Sequence, residues 1–183
     1  MALFRRNPVR EAAERAYDRV VQQARRPEFF SRLNVPDSVD GRFELICLHA
    51  FLYLRRLKRE GELAAPMGQR FFETMFTDFD RSLREMGTGD LSVGREVKRM
   101  AEGFYGRIDA YERGLVQGDA VLADALQRNL YGTTPITAAG CIAAMAAYVR
   151  DQAVRLDDQS APALLAGEID FGKPAELPAR GEE

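Results

Sequence analysis

Residues 71–115 constrain this chain more than any other stretch, because they read as two amphipathic helices hinged on a glycine-rich turn. Before the turn, Phe72, Met75, Phe76, Phe79, Leu83 and Met86 recur at three- and four-residue steps, the repeat of one helical face and not of a strand. After it, Val97, Met100, Ala101, Phe104, Ile108, Tyr111 and Leu115 do the same. Between the two runs Gly87-Thr88-Gly89 supplies the positive φ that ends a helix, and Asp90 or Ser92 stands where a cap for the next helix is needed. Either helix alone would leave an aromatic stripe in water, so the pair predicts an αα-hairpin buried against further helices.

The rest of the chain supplies them. Asn7-Pro8 marks a helix start, and Ala13, Tyr17, Val20 and Ala24 give that helix an apolar stripe suited to core packing, although its amphipathicity would also suit a bilayer surface. A short connector with Phe29, Phe30 and Leu33 stops at Val35-Pro36. Asp37 then reads as the cap of a long helix that is apolar on nearly every face from Phe43 to Leu57, which places it at the centre of a bundle. Gly61 ends it. After the hairpin, Gly118-Asp119 opens a short helix with Leu122, Leu126 and Leu130, Thr134-Pro135 opens another with Ile136, Ala139 and Ala143 along it, and Ser160-Ala161-Pro162 begins a last turn. The expected fold is all-α, a single-domain bundle of about six helices around the hairpin, with residues 1–166 as the domain and 167–183 as a flexible acidic tail. Its shared core is expected to hold Phe43, Ile46, Ala50, Leu54, Phe76, Phe79, Val97, Met100 and Phe104.

Composition excludes several function classes. A formal net charge of -2 gives no global attraction to nucleic acid, and no specific nucleic-acid partner is expected. Residues 1–26 do carry seven Arg against three acidic side chains, which would suit an anionic lipid surface or ribosomal RNA, but a basic first helix is the simpler reading. Cys47 and Cys141 fall inside helical patterns without metal-site spacing and read as buried free thiols. No run is long and apolar enough for a membrane span, and the first residues lack the apolar core of a secretory signal, so the cytoplasm is the expected location.

His49 is the only histidine, so a di-iron bundle with paired Glu-x-x-His motifs is ruled out. Flanked by Cys47, Leu48 and Phe51, it reads as a core histidine hydrogen-bonded to a neighbouring helix. Cys47 and His49 lie two apart on a helix and point in different directions, so they form no nucleophile–base pair. Gly87-x-Gly89 follows no strand and has Asp90 where a phosphate would sit, which argues against a dinucleotide loop. Asp80, Arg84, Glu85 and Asp90 cluster at the hairpin turn. They either brace it or form the polar rim of a groove floored by Phe and Met side chains. The residues therefore point to a binding protein with no enzyme activity and no cofactor or metal.

Two blocks carry a family likeness. Val35-Pro36-Asp37, Gly41-Arg42-Phe43, Leu48-His49 and Arg56-Leu57-Lys58-Arg59-Glu60-Gly61 form the first; Asp80, Leu83-Arg84-Glu85, Gly87, Asp90, Val93, Lys98, Phe104, Gly106 and Tyr111 form the second. Over residues 17–155 this spaced pattern resembles the ubiquinol-cytochrome c chaperone family, whose mitochondrial members assist assembly of the cytochrome bc1 complex. Phe51 stands where mitochondrial members tend to have Trp, and Ser38 where bacterial members commonly have Thr; both swaps keep the chemistry. The resemblance marks Asp37, Arg42, His49, Lys98 and Tyr111 as family-motif positions. It implies a bacterial member acting in the cytoplasm or at the cytoplasmic face of the inner membrane, with newly made cytochrome b as client, a ribosome contact and a small partner subunit. Two rival readings are a helical protein that binds haem or quinone and a helical adaptor unrelated to respiration. A monomer with one histidine cannot supply bis-histidine haem ligation.

Overall fold

The computed structural model describes residues 7–132 and 139–174. Among them are eight α-helices and no strand: α1 Pro8–Ala24, α2 Pro27–Ser31, α3 Val39–Lys58, α4 Ala65–Glu85, α5 Asp90–Gln117, α6 Asp119–Asn129, α7 Ala139–Asp157 and α8 Ala161–Leu165. A 3-10 turn, Gly61–Leu63, separates α3 from α4. The expected helix start at Thr134-Pro135 lies outside the described residues. The short segment holding Phe29, expected as a connector, is α2, and Phe29 is fully buried.

Local chemistry sets most boundaries. Asn7 Oδ1 accepts the Val9 and Arg10 N–H groups at 3.1 and 3.3 Å, and Pro8 occupies the first helical position, where its missing N–H costs nothing. At α3 the cap is Ser38, whose Oγ accepts from Gly41 N at 3.1 Å. Asp37, expected there, is one residue too early and pairs with Arg42 at 2.7 Å instead. Between α4 and α5, Gly87 has φ 89°, with Gly87 N donating to Arg84 O and Thr88 N to Leu83 O, so a Schellman turn closes α4. The expected side-chain cap on α5 does not form: Gly89 is the N-cap residue, and Asp90 is already helical, with its carboxylate on Arg84.

The long helix α3, apolar on nearly every face from Phe43 to Leu57, lies at the centre and touches α1, α4, α5, α7 and α8. Phe43 packs on Phe79 and Tyr53 on Phe71, so α3 and α4 run antiparallel. Glu44 meets Arg107 and Phe51 meets Tyr111, so α5 runs parallel to α3. The two hairpin arms find their most extensive partners elsewhere: α4 lies along α1, and α5 along α6. That settles the reading of α1, whose Ala13, Ala16 and Val20 are fully buried in the core. Of the expected core, Ala50, Phe76, Phe79 and Phe104 are buried. Phe43, Ile46, Val97 and Met100 are only half-buried, because the arms part towards their tip, and Leu54, near the other end of α3, is half-buried as well.

Behind α3 a buried polar network ties α1, α3 and α7 together. Gln23 Nε2 donates to Tyr148 Oη at 2.8 Å, and Tyr148 lies 2.8 Å from His49 Nε2. His49 Nδ1 is 2.7 Å from Leu45 O, a carbonyl that only accepts, so Nδ1 carries the proton and Nε2 accepts from Tyr148. The chain after α8 closes over this network. Gly167, at φ 79°, sits so close to α1 that a Cβ would stand 2.2 Å from Ala12 O. Ile169 is buried, Phe171 meets the His49 ring edge-on at 5.2 Å, and Gly172 bonds to both Gln23 and Gln152 at 2.7 Å. Packing on the bundle thus continues past residue 166, the expected end of the domain; residues 175–183 lie outside the described residues.

Candidate functional site

Where the hairpin arms part, the structure opens a cleft of about 920 Å3 between the first half of α3, the second half of α4, the first half of α5 and the end of α6. Half-buried Phe43, Ile46, Leu83 and Met100, with Phe79 behind them, form its floor. Val39 and Met86, 63% and 57% exposed, stand at its mouth. Apolar side chains held half in water are unfavourable unless something covers them, and methionine adapts its shape to different partners. The surface is therefore suited to reversible docking of apolar side chains. Neither Cys47 nor His49 lines it.

One ion pair sits in the floor. Arg107 Nε donates to Glu44 Oε2 at 2.6 Å, and Arg107 Nη2 to Glu44 Oε1. The guanidinium lies 5.5 Å over the Phe43 ring. Burial pushes the Glu44 carboxyl above its ordinary pKa while the bonds to Arg107 pull it back. The same burial raises the Cys47 thiol and the Tyr111 phenol well above their usual values. Tyr111 is fully buried and packs on Phe51, yet its hydroxyl has no hydrogen-bond partner among the described residues.

The residues singled out in the sequence are dispersed. Arg84 Nε donates to Asp80 at 2.6 Å, and Arg84 Nη1 to Asp90, bridging the end of α4 to the start of α5 on the outside of the turn. Of that cluster only Glu85 lines the cleft. Arg42 lines it as well, paired with Asp37 and placed over Phe30 at 5.8 Å. Lys98 is exposed, 3.9 Å from Glu102. His49 belongs to the buried network behind α3, with both ring nitrogens engaged. Sequence reasoning missed Glu44 and Arg107 as a pair, since 63 residues separate them. A carboxylate in a stretch that is apolar on nearly every face was the available signal, because such a group must find a partner.

Comparison with known proteins gives one consistent result. The model of the family described as Ubiquinol-cytochrome C chaperone matches residues 31–171. Ubiquinol-cytochrome-c reductase complex assembly factor 1 of Xenopus laevis is 31% identical over 122 residues, 67% of this chain and 61% of that protein. The Homo sapiens protein of that name is 29% identical over 169 residues, 89% of this chain and 54% of that one. The chain thus spans between half and two thirds of the length of these curated relatives. Among solved structures, that of the Cbp3 homolog from Brucella abortus superposes with a TM-score of 0.81 at 35% identity, covering 91% of this chain and 92% of that one.

Proposed function

Since the chain belongs to the ubiquinol-cytochrome C chaperone family, we propose that it is a non-enzymatic assembly chaperone of the ubiquinol-cytochrome c reductase (bc1) complex. Its client is newly made cytochrome b, held by a segment in the cleft between α3, α4, α5 and α6. The observation that carries the reading is the cleft itself, an apolar floor of Phe and Met side chains left half in water by arms that part. The names of the curated relatives support the complex. A client with membrane-spanning helices needs its apolar segments covered before insertion, and a groove with adaptable side chains can take one reversibly. None of the described helices is long and apolar enough to cross a membrane. In this reading the chain meets its client at the cytoplasmic face of the inner membrane.

Deleting the gene in a respiring bacterium is expected to lower assembled bc1 complex and cytochrome b while terminal oxidases independent of bc1 stay intact. Normal cytochrome b and bc1 activity in the deletion strain would rule the assignment out.

The same proposal divides the hairpin cluster into two roles. Arg84, Asp80 and Asp90 brace the turn, and Glu85 belongs to the rim. Exposed pairs contribute little, so Arg84→Ala should lower the melting temperature only slightly and leave cytochrome b co-purification unchanged. Glu85→Lys should leave the melting temperature unchanged and alter cytochrome b co-purification. A melting curve and a pull-down on each variant check the division, and a pull-down weakened by Arg84→Ala alone would overturn it.

A further inference from the structure

The polar groups of the cleft are unevenly committed. Glu44 is taken by Arg107, Glu96 by Arg99, and Asp78 by Tyr17 and Arg81. Asp40 lies in the first turn of α3, where the positive end of the helix dipole holds it, which leaves Glu85 as the one lining carboxylate that meets neither a cation nor a helix N-terminus among the described residues. On the other side of the balance, the Arg25 and Arg128 side chains line the cleft with no hydrogen-bond or ion-pair partner among the described residues. Arg107 binds Glu44 through Nε and Nη2 alone, which leaves both hydrogens of Nη1 free. The backbone makes room for that nitrogen: a Cβ on Gly103, which also lines the cleft, would stand 2.8 Å from it.

A cleft with an apolar floor and spare guanidinium donors calls for an occupant that brings apolar side chains together with acceptors. The middle of a helix has its carbonyls bonded internally, whereas the last turn leaves four carbonyls free at the negative end of the dipole. We infer that the cleft receives the C-terminal end of an amphipathic helix of a partner protein, whose free carbonyls and acidic side chains meet Arg107 Nη1, Arg25 and Arg128 while its apolar face covers Phe43, Ile46 and Met100. The inference rests on the chaperone reading for the occupant being a protein, and adds which part of a helix it takes and which charge.

Two labelled synthetic peptides test it against the full chain by fluorescence anisotropy. Both share one leucine- and phenylalanine-rich amphipathic sequence; the first ends in glutamates with a free carboxylate, its twin in lysines with an amide. The acidic peptide should bind about tenfold more tightly. The double variant Arg25→Glu with Arg128→Glu, at two exposed positions, should abolish or invert that preference. Gly103→Ala should weaken the acidic peptide by crowding Nη1 without lowering the melting temperature, because alanine favours the interior of α5. Equal affinities, no binding of either peptide, or a preference unchanged in the double variant would each overturn the inference. Equal affinities together with a deletion strain that lacks bc1 complex would overturn it and leave the chaperone reading standing. A retained preference with normal bc1 complex would support it and overturn the chaperone reading alone.

Discussion

Phe104→Ala is expected to destabilise the fold by about 3–5 kcal/mol, the range for an aromatic side chain removed from a closed core. The ring is fully buried and reaches from α5 to α4, 6.3 Å from Phe72 and 6.2 Å from Phe76 by ring centroids. Helices on both sides are held by other partners, α4 by α1 and α5 by α6, so they cannot close on the cavity and most of it should persist. For a chain of this size that corresponds to a fall in melting temperature of about 6–20 °C. Phe79→Ala should behave alike, being 5% exposed and packed against Phe43 and Phe76. Met100→Ala, half-buried on the cleft floor, should cost clearly less, since water already reaches the site. Thermal or urea denaturation of the three variants checks the ordering. Equal curves for wild type and Phe104→Ala would refute the packing of α5 on α4.

That contrast between Phe104 and Met100 also explains what could be read from the sequence. The two lie on the same apolar stripe of α5, and periodicity identifies the stripe without saying how closely a facing helix approaches it. Phe43, Ile46, Val97 and Met100 were expected in the core for this reason, and they are half-buried because α4 and α5 each follow a different neighbour. The order of the six long helices was legible because starts and stops are local chemistry, as at Asn7-Pro8 and Gly118, whereas the five-residue α2 was expected as a connector. Which of two adjacent polar residues caps was not, as Ser38 in place of Asp37 shows, because both types suit an N-cap. Residues 167–174 have the glycine, proline and charge of a tail; what anchors them is Ile169, Phe171 and main-chain groups of Gly172 finding Gln23 and Gln152, partners supplied by α1 and α7. The cleft pair Glu44 and Arg107 is likewise a product of topology. No local pattern joins residues on α3 and α5 until the chain has folded.

Lowering the pH from 7 to 5 should destabilise the fold by about 2 kcal/mol through His49 alone. The ring is fully buried, its Nδ1 donates to Leu45 O, its Nε2 accepts from Tyr148, and Phe29, Tyr148 and Phe171 surround it edge-on. Burial lowers its pKa from 6.5 to about 4, opposed by the bond to Leu45. The fold therefore requires the neutral form. Well above pH 6.5 the histidine is unprotonated in both the folded and the unfolded chain, and the full stability is present. As the pH falls through 6.5 the unfolded chain takes up a proton that the folded chain refuses, so stability declines until the pH reaches about 4, where the folded form protonates as well. The sequence has one histidine, so no second imidazole contributes to the slope. His49→Gln removes the titrating group at a site where an amide can still meet Leu45 O and Tyr148. The variant should start less stable, yet lose much less between pH 7 and pH 5 than wild type does. Denaturant melts of both proteins at the two pH values provide the measurement. Equal losses in wild type and variant would show that His49 does not carry the proton linkage, and with it that the strap of Phe171 and Gly172 does not seal the ring from water.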